Sequence, residues 1–155
     1  MEVSISTPLT YEKIKDLRAG DRILLSGTIY TARDAAHKRL IELLDNGLDL
    51  PISINNETIY YVGPTPAKEG QVIGSAGPTT SYRMDSYSPR LLDLGLKGMI
   101  GKGARNEDVV NSIIKNNLPL INILENKEYS EDNALDTINK TDKLKKEIEE
   151  LKQIA

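Results

Sequence analysis

Residues Arg22–Asn46, RILLSGTIYTARDAAHKRLIELLDN, contain the change of hydrophobic period from which the fold class is read. Arg22 to Tyr30 is rich in Ile and Leu around a central Gly27, which suggests a buried strand with a bulge or a close backbone approach. From Thr31 onward the spacing changes. Ala36, Leu40, Leu43 and Leu44 recur at helical intervals, and Asn46-Gly47 stops the run. Thr31 stands three before Asp34, a capping-box spacing, so the helix is expected to open at Thr31. A strand that feeds directly into an amphipathic helix points to an α/β fold.

Outward from this unit, Thr10 to Leu17 reads as a short helix with Thr10 as N-cap and Gly20 past its end. Thr58 to Val62 is a strand, closed by Gly63-Pro64 and Pro66. Lys68-Glu69-Gly70 reads as a turn into a further strand, Gln71 to Ala76, which Gly77-Pro78 ends. Ser88-Pro89 has the look of an N-cap followed by proline at the first helical position, with Gly95 past the end of that helix. Lys97 to Ile100 is expected to be a strand, Asn106 to Lys115 a helix, and Leu118 to Leu124 a strand. Residues 125–155 are rich in Lys, Glu, Asp and Asn. Leu144, Ile148, Leu151 and Ala155 there are spaced as on one face of a terminal helix. The expected division is a domain over 1–124 and a charged helical tail over 125–155.

Composition narrows the function. The chain has 155 residues, and its 20 Lys plus Arg against 23 Asp plus Glu give a net charge of −3, which speaks against a nucleic-acid partner. The absence of Cys excludes disulfides, thiol nucleophiles and a thiolate-held metal or cluster on this chain, and a single His excludes a His-rich metal site. No basic start leads into a long apolar run, and no stretch approaches the ~20 apolar residues of a spanning helix. The expectation is a soluble, cytoplasmic protein without a membrane partner.

Three segments carry candidate chemistry. In Thr31–Arg39, Arg33 sits in the first helical turn, where the macrodipole disfavours a cation, and His37 follows by four on the same side. An anion bound at this strand–helix junction accounts for the pair; so does an exposed Arg beside a buried, hydrogen-bonded His. In Gly74–Asp85, a Gly-Pro turn precedes Thr79-Thr80-Ser81, and Arg83 follows Thr79 by four. Hydroxyls, backbone N–H groups and a guanidinium there suit a carboxylate or phosphate, while a capped turn with a surface Arg fits the same pattern. In Gly98–Gly103, Lys102 lies between two glycines. A phosphate loop needs Gly where Leu96 stands and Ser or Thr where Gly103 stands, so nucleotide binding is poorly supported. Arg33, Arg83 and Lys102 together suit a small ligand with more than one carboxylate. Neither a catalytic triad nor a metal cluster emerges from the spacing.

At these residues the sequence resembles the β subunit, or C-terminal domain, of class I iron–sulfur fumarases and the related L-tartrate dehydratases. The matching stretches are LSGTIYTARDAAHKRL (Leu25 to Leu40), IYYVGPTPAKEGQVIGSAGPTTSYRMDSYSP (Ile59 to Pro89) and GLKGMIGKG (Gly95 to Gly103). The resemblance extends from about Leu9 to Lys115. It implies a swivelling β/β/α domain that closes over a cysteine-bearing α partner. That partner would hold a [4Fe–4S] cluster with one iron left for substrate, and this chain would bind none.

The implied reaction is the interconversion of fumarate and (S)-malate, a hydro-lyase step of the tricarboxylic acid cycle. By the resemblance, Arg33, Arg83 and Lys102 hold substrate carboxylates, Thr79 stands near C3 as a candidate base with Thr80 beside it, and His37 matches a histidine sometimes given a catalytic role. Tyr82 replaces a small residue and is expected to crowd Arg83. After Lys115 the chain lacks the family's Gly-Gly-Ala loop and final αβ segment. Two alternatives therefore stand beside the fumarase reading. One is a β subunit acting on L-tartrate or another hydroxy-dicarboxylate; the other is a truncated, non-catalytic binding or assembly module. Assembly of αβ units into a larger homo-oligomer is compatible with each enzymatic reading.

Overall fold

The computed structural model describes residues 2–116. The strand expected at Leu118–Leu124, the tail 125–155 and the boundary between them lie outside the described residues. The architecture is mixed α/β with two small parallel sheets. In the first, β1 (Glu2–Ser6) pairs with β2 (Arg22–Ser26), Glu2 opposite Arg22 and Ser6 opposite Ser26. The short α1 (Tyr11–Ile14) lies in the crossover between them. The second sheet has the order β3 (Tyr30–Thr31), β4 (Thr58–Tyr60), β5 (Gly98–Ile100). Its connections carry α2 (Asp34–Asp45), a 3-10 turn (Ser81–Met84) and α3 (Ser88–Asp93), and α4 (Glu107–Lys115) follows β5. No helix among the described residues is long and apolar enough to cross a membrane.

The core forms around β4. Thr58 and Ile59 are buried, as are Tyr61 and Val62 just beyond, as expected of a central parallel strand covered on both faces. Leu40 of α2, Ile59, Met99 of β5, Leu91 and Leu92 of α3, and Val109 and Ile113 of α4 join one hydrophobic cluster. Each such side chain, once fully buried, contributes about 1.5–3 kcal/mol. The β1–β2 sheet stands apart. Its residues alternate between half-buried and exposed, and none belongs to that cluster.

Several expectations are corrected. Arg22–Tyr30 is two strands, because the chain turns at Gly27 (φ +103°), where a side chain would strike the Thr7 hydroxyl; the expected close backbone approach is real. Thr31 does not cap α2. It pairs with Tyr60 in the sheet, the ladder continues as Ala32 N–H donates to the Tyr60 carbonyl (3.1 Å), and Arg33 is the N-cap. Gln71–Ala76 is a loop, since no strand pairs with it among the described residues. Its hydrogen bonds are local: Thr65 N–H to the Ser75 carbonyl (3.0 Å) and Ser75 N–H to the Thr65 hydroxyl (2.9 Å). The first helix is shorter than Thr10–Leu17, and its N-cap Thr10 makes no side-chain cap bond. Ser88 is helical rather than the cap, its hydroxyl donating to the Met84 carbonyl at 2.9 Å. Residues 2–6 were not anticipated as a strand. The helix expected over Asn106–Lys115 forms as α4, with Asn106 as its N-cap, accepting from Val109 N–H at 3.0 Å.

One buried polar network fastens the second sheet to the helices. Arg105 donates through Nε to Asp85 Oδ1 (2.7 Å) and through Nη2 to the Ser88 hydroxyl (2.9 Å), and its guanidinium lies 5.5 Å from the Tyr61 ring centre. Asp85 Oδ2 accepts from Asn106 N–H at 2.7 Å. Both charged side chains are almost fully buried. Replacing Asp85 by Ala strands the guanidinium without its counter-charge and is expected to cost about 3–5 kcal/mol. A lowered urea midpoint at unchanged m value reads this out, and the joint replacement Asp85→Leu with Arg105→Met costs less than the single one.

Candidate functional site

In a parallel sheet the carboxyl ends of all strands open on one edge, where ligands of open α/β sheets are bound. Here that edge receives Arg33 just after β3, Gly63 just after β4 and Lys102 just after β5. The hydroxyl turn is brought to the same place by backbone pairing. Thr79 N–H donates to the Tyr61 carbonyl (2.8 Å), Lys102 N–H to the Thr79 carbonyl (3.2 Å), and Ser81 N–H to the Lys102 carbonyl (2.7 Å). Thr80 and Lys102 thereby form a parallel bridge. Gly101 permits the approach, because a side chain there would meet the Ser81 hydroxyl and the Tyr61 ring.

Arg83 emerges from the 3-10 turn and is held from two sides. Its Nε donates to Asp34 Oδ1 (3.0 Å) and its Nη2 lies 2.8 Å from Asp34 Oδ2, a two-point ion pair with the first residue of α2. Its Nη1 donates to the Thr79 hydroxyl at 3.4 Å. The bulk of Tyr82 does not displace it, since Tyr82 is exposed. Arg33, adjacent to Asp34 in the chain, lays its guanidinium against Gly63. A Cβ at that glycine would come within 3.0 Å of Arg33 Nη1. Neither Arg33 nor Lys102 has a carboxylate within ion-pair distance among the described residues. Three cations and two threonine hydroxyls thus share this edge with one carboxylate, a setting suited to a small polyanion.

His37 lies beneath this edge rather than on it. The ring is fully buried, packed edge-on to Tyr61 at 5.3 Å between centres, and 6.0 Å from Tyr87. Its Nδ1–H donates to the Arg33 carbonyl at 2.9 Å, and Nε2 has no partner among the described residues. Asp34 and the buried Asp85–Arg105 pair are the residues that the reading of single segments missed. Asp34 was legible as an acid in a first helical turn, but its partner lies 49 positions away. A cofactor finds no thiolate here, since the chain has no Cys, and no group of three His, Asp or Glu side chains gathers among the described residues.

Burial pushes the His37 imidazole below its ordinary value of 6.5, the charge of Arg105 adds to this, and the bond to the Arg33 carbonyl opposes it. The unfolded chain therefore binds a proton on this ring at higher pH than the folded chain does. The resulting stability is fully present above about pH 6.5 and is lost as the pH falls through that value toward the lower folded one. His37→Phe, which keeps a ring but removes the titration, is expected to flatten the fall in stability below pH 6.5, as measured by urea unfolding across pH 4.5–8.

The chain is 40% identical over 106 residues to the L(+)-tartrate dehydratase subunit beta of Escherichia coli, an alignment covering 66% of this chain and 51% of that protein. It is 38% identical over 105 residues to a putative L(+)-tartrate dehydratase subunit beta of Methanocaldococcus jannaschii, covering 66% and 54%. Against the aerobic class I fumarate hydratase of Escherichia coli it is 45% identical over 95 residues, covering 61% and 17%. The chain spans about half the length of the tartrate dehydratase subunits it matches. The family model described as Fumarase C-terminus matches residues 1–122, more than three-quarters of the sequence. The chain with this cationic strand-end edge belongs to the Fumarase C-terminus family.

Proposed function

We propose that this chain is the substrate-gripping β component of a hydro-lyase that acts on a four-carbon dicarboxylate, interconverting fumarate and (S)-malate. The observation that carries the reading is the convergence of Arg33, Thr79, Arg83 and Lys102 at the carboxyl edge of β3, β4 and β5. A second reading, L(+)-tartrate as substrate, draws on the names of the relatives that align with the larger share of the chain.

The chemistry follows from the residues. Dehydration removes a proton from C3, beside a carboxylate, while hydroxide leaves C2. As the C3–H bond breaks, negative charge spreads into that carboxylate. Arg33, Arg83 and Lys102, fixed before the reaction begins, would neutralise both carboxylates and favour the more highly charged transition state. Thr79 is the candidate base at C3, with Thr80 beside it. The Nη1 group of Arg83 would stabilise a deprotonated Thr79 hydroxyl, lowering the cost of that unusual base. His37 would act through the Arg33 carbonyl, setting where the helix begins and where the Arg33 side chain leaves the backbone.

A [4Fe–4S] cluster, where bound, supplies Lewis acidity toward the leaving hydroxyl. This chain has no cysteine to hold one, so the reading assigns the cluster to a cysteine-bearing α partner over which this domain would swivel. The setting in view is a cytoplasmic αβ enzyme.

Co-expression with such a partner from the same genome is expected to give oxygen-sensitive turnover of (S)-malate. Arg83→Ala should lower kcat/KM about 10²–10³-fold, the usual effect of removing one fixed donor from developing charge. Unchanged kcat/KM would remove Arg83 from the site. Turnover of L(+)-tartrate in preference to malate would select the second reading, and dicarboxylate binding without turnover in any αβ mixture would select the non-catalytic module.

A further inference from the structure

Asp34 is out of place for an anion site. Every other charged group at this edge attracts a carboxylate, whereas Asp34 repels one and also neutralises Arg83. Net attraction alone would be stronger without it. The geometry offers another role. Asp34 occupies the Nε and Nη2 side of the guanidinium with both of its oxygens, which fixes the guanidinium plane and leaves Nη1 directed at the Thr79 hydroxyl. An exposed Arg otherwise samples many rotamers, and ordering it on ligand binding costs side-chain entropy. Asp34 is itself anchored, being the first residue of a twelve-residue helix whose N-cap is Arg33. One carboxylate therefore ties the two arginines, otherwise 50 positions apart, to a common frame.

We propose that Asp34 is a positioning residue for dicarboxylate recognition: by gripping one side of Arg83 it presents the other to Thr79 and the ligand, and it holds Arg83 in register with Arg33. This rests on the dicarboxylate reading of the site. Charge and positioning act in opposite directions here, so their effects separate by sign. If Asp34 serves only to neutralise Arg83, its removal tightens the binding of a dianion; if it positions Arg83, its removal weakens it.

The experiment is calorimetric titration of the full chain, alone and with its α partner, using succinate as an unreactive dicarboxylate and acetate as a monoanion. Asp34→Asn is expected to weaken succinate binding about tenfold or more, as a misplaced contact group does, with a smaller change for acetate. Asp34→Glu should recover part of the loss. In an Arg83→Lys background, which has no two-point edge to hold, Asp34→Asn should change little. Asp45→Asn serves as control, because it breaks a comparable exposed ion pair with Arg90 at the far end of the same helix and should bind succinate as the unaltered chain does. Should Asp34→Asn not fold, Asp34→Ser, which suits a helix start, carries the same expectation. Equal or tighter succinate binding by the folded Asp34 variant, with the unaltered chain binding normally, overturns the positioning role and leaves the site intact. Failure of the unaltered chain to bind succinate in either form overturns the dicarboxylate reading and this inference with it.

Discussion

Three backbone hydrogen bonds hold the cationic edge together: Tyr61 to Thr79, Thr79 to Lys102, and Lys102 to Ser81. They add a rung to the parallel ladder beyond the last residues of β4 and β5, and the rung is made from the hydroxyl turn. Lys102 spends both its N–H and its carbonyl on this stitch, so its backbone is fixed by it. Because backbone groups in a buried setting must be paired, the stitch also answers for the polar atoms that the ends of β4 and β5 would otherwise strand. Arg83 inherits its place from it, since only Tyr82 separates Ser81 from Arg83.

Beneath the stitch lies a second constraint. The Asp85–Arg105 pair joins the turn that carries Arg83 to the segment that follows Lys102, and Tyr61 and Ser88 complete its hydrogen bonds. A buried pair of this kind contributes little net stability over an apolar replacement, yet it specifies one arrangement and penalises others. The exposed arginines of the candidate site and the internal one thus differ in setting. Arg33 and Arg83 stand at the surface with charge to offer. Arg105 has its charge satisfied and supplies register.

Much of the candidate site was legible in single segments. Arg33 was recognisable as a cation in an unfavourable helical position, Arg83 by its spacing from Thr79, and Lys102 by its flanking glycines. What the segments hid were partners distant in sequence. Asp34 read as half of a capping box with Thr31, a spacing that a strand residue satisfies equally well, and sheet pairing with Tyr60 won. Val72 and Ile73 have strand propensity but no strand paired with them among the described residues, so Gln71–Ala76 is a loop. Residues 2–6 were overlooked because their alternation is short. His37 fell between two readings in the sequence, and the structure decides its location: buried and bonded to the Arg33 carbonyl.

The separate β1–β2 sheet has a consequence for how the molecule opens. Its side chains contribute nothing to the central hydrophobic cluster, and its link to β3 turns on Gly27. Regions with few buried apolar contacts open at lower free energy than the core. All residues of the cationic edge lie beyond Gly27 in the chain. The two-stranded sheet can therefore exchange its amide protons by local opening while the cationic edge stays closed, giving the described residues two tiers of cooperativity with the candidate site on the sturdier one.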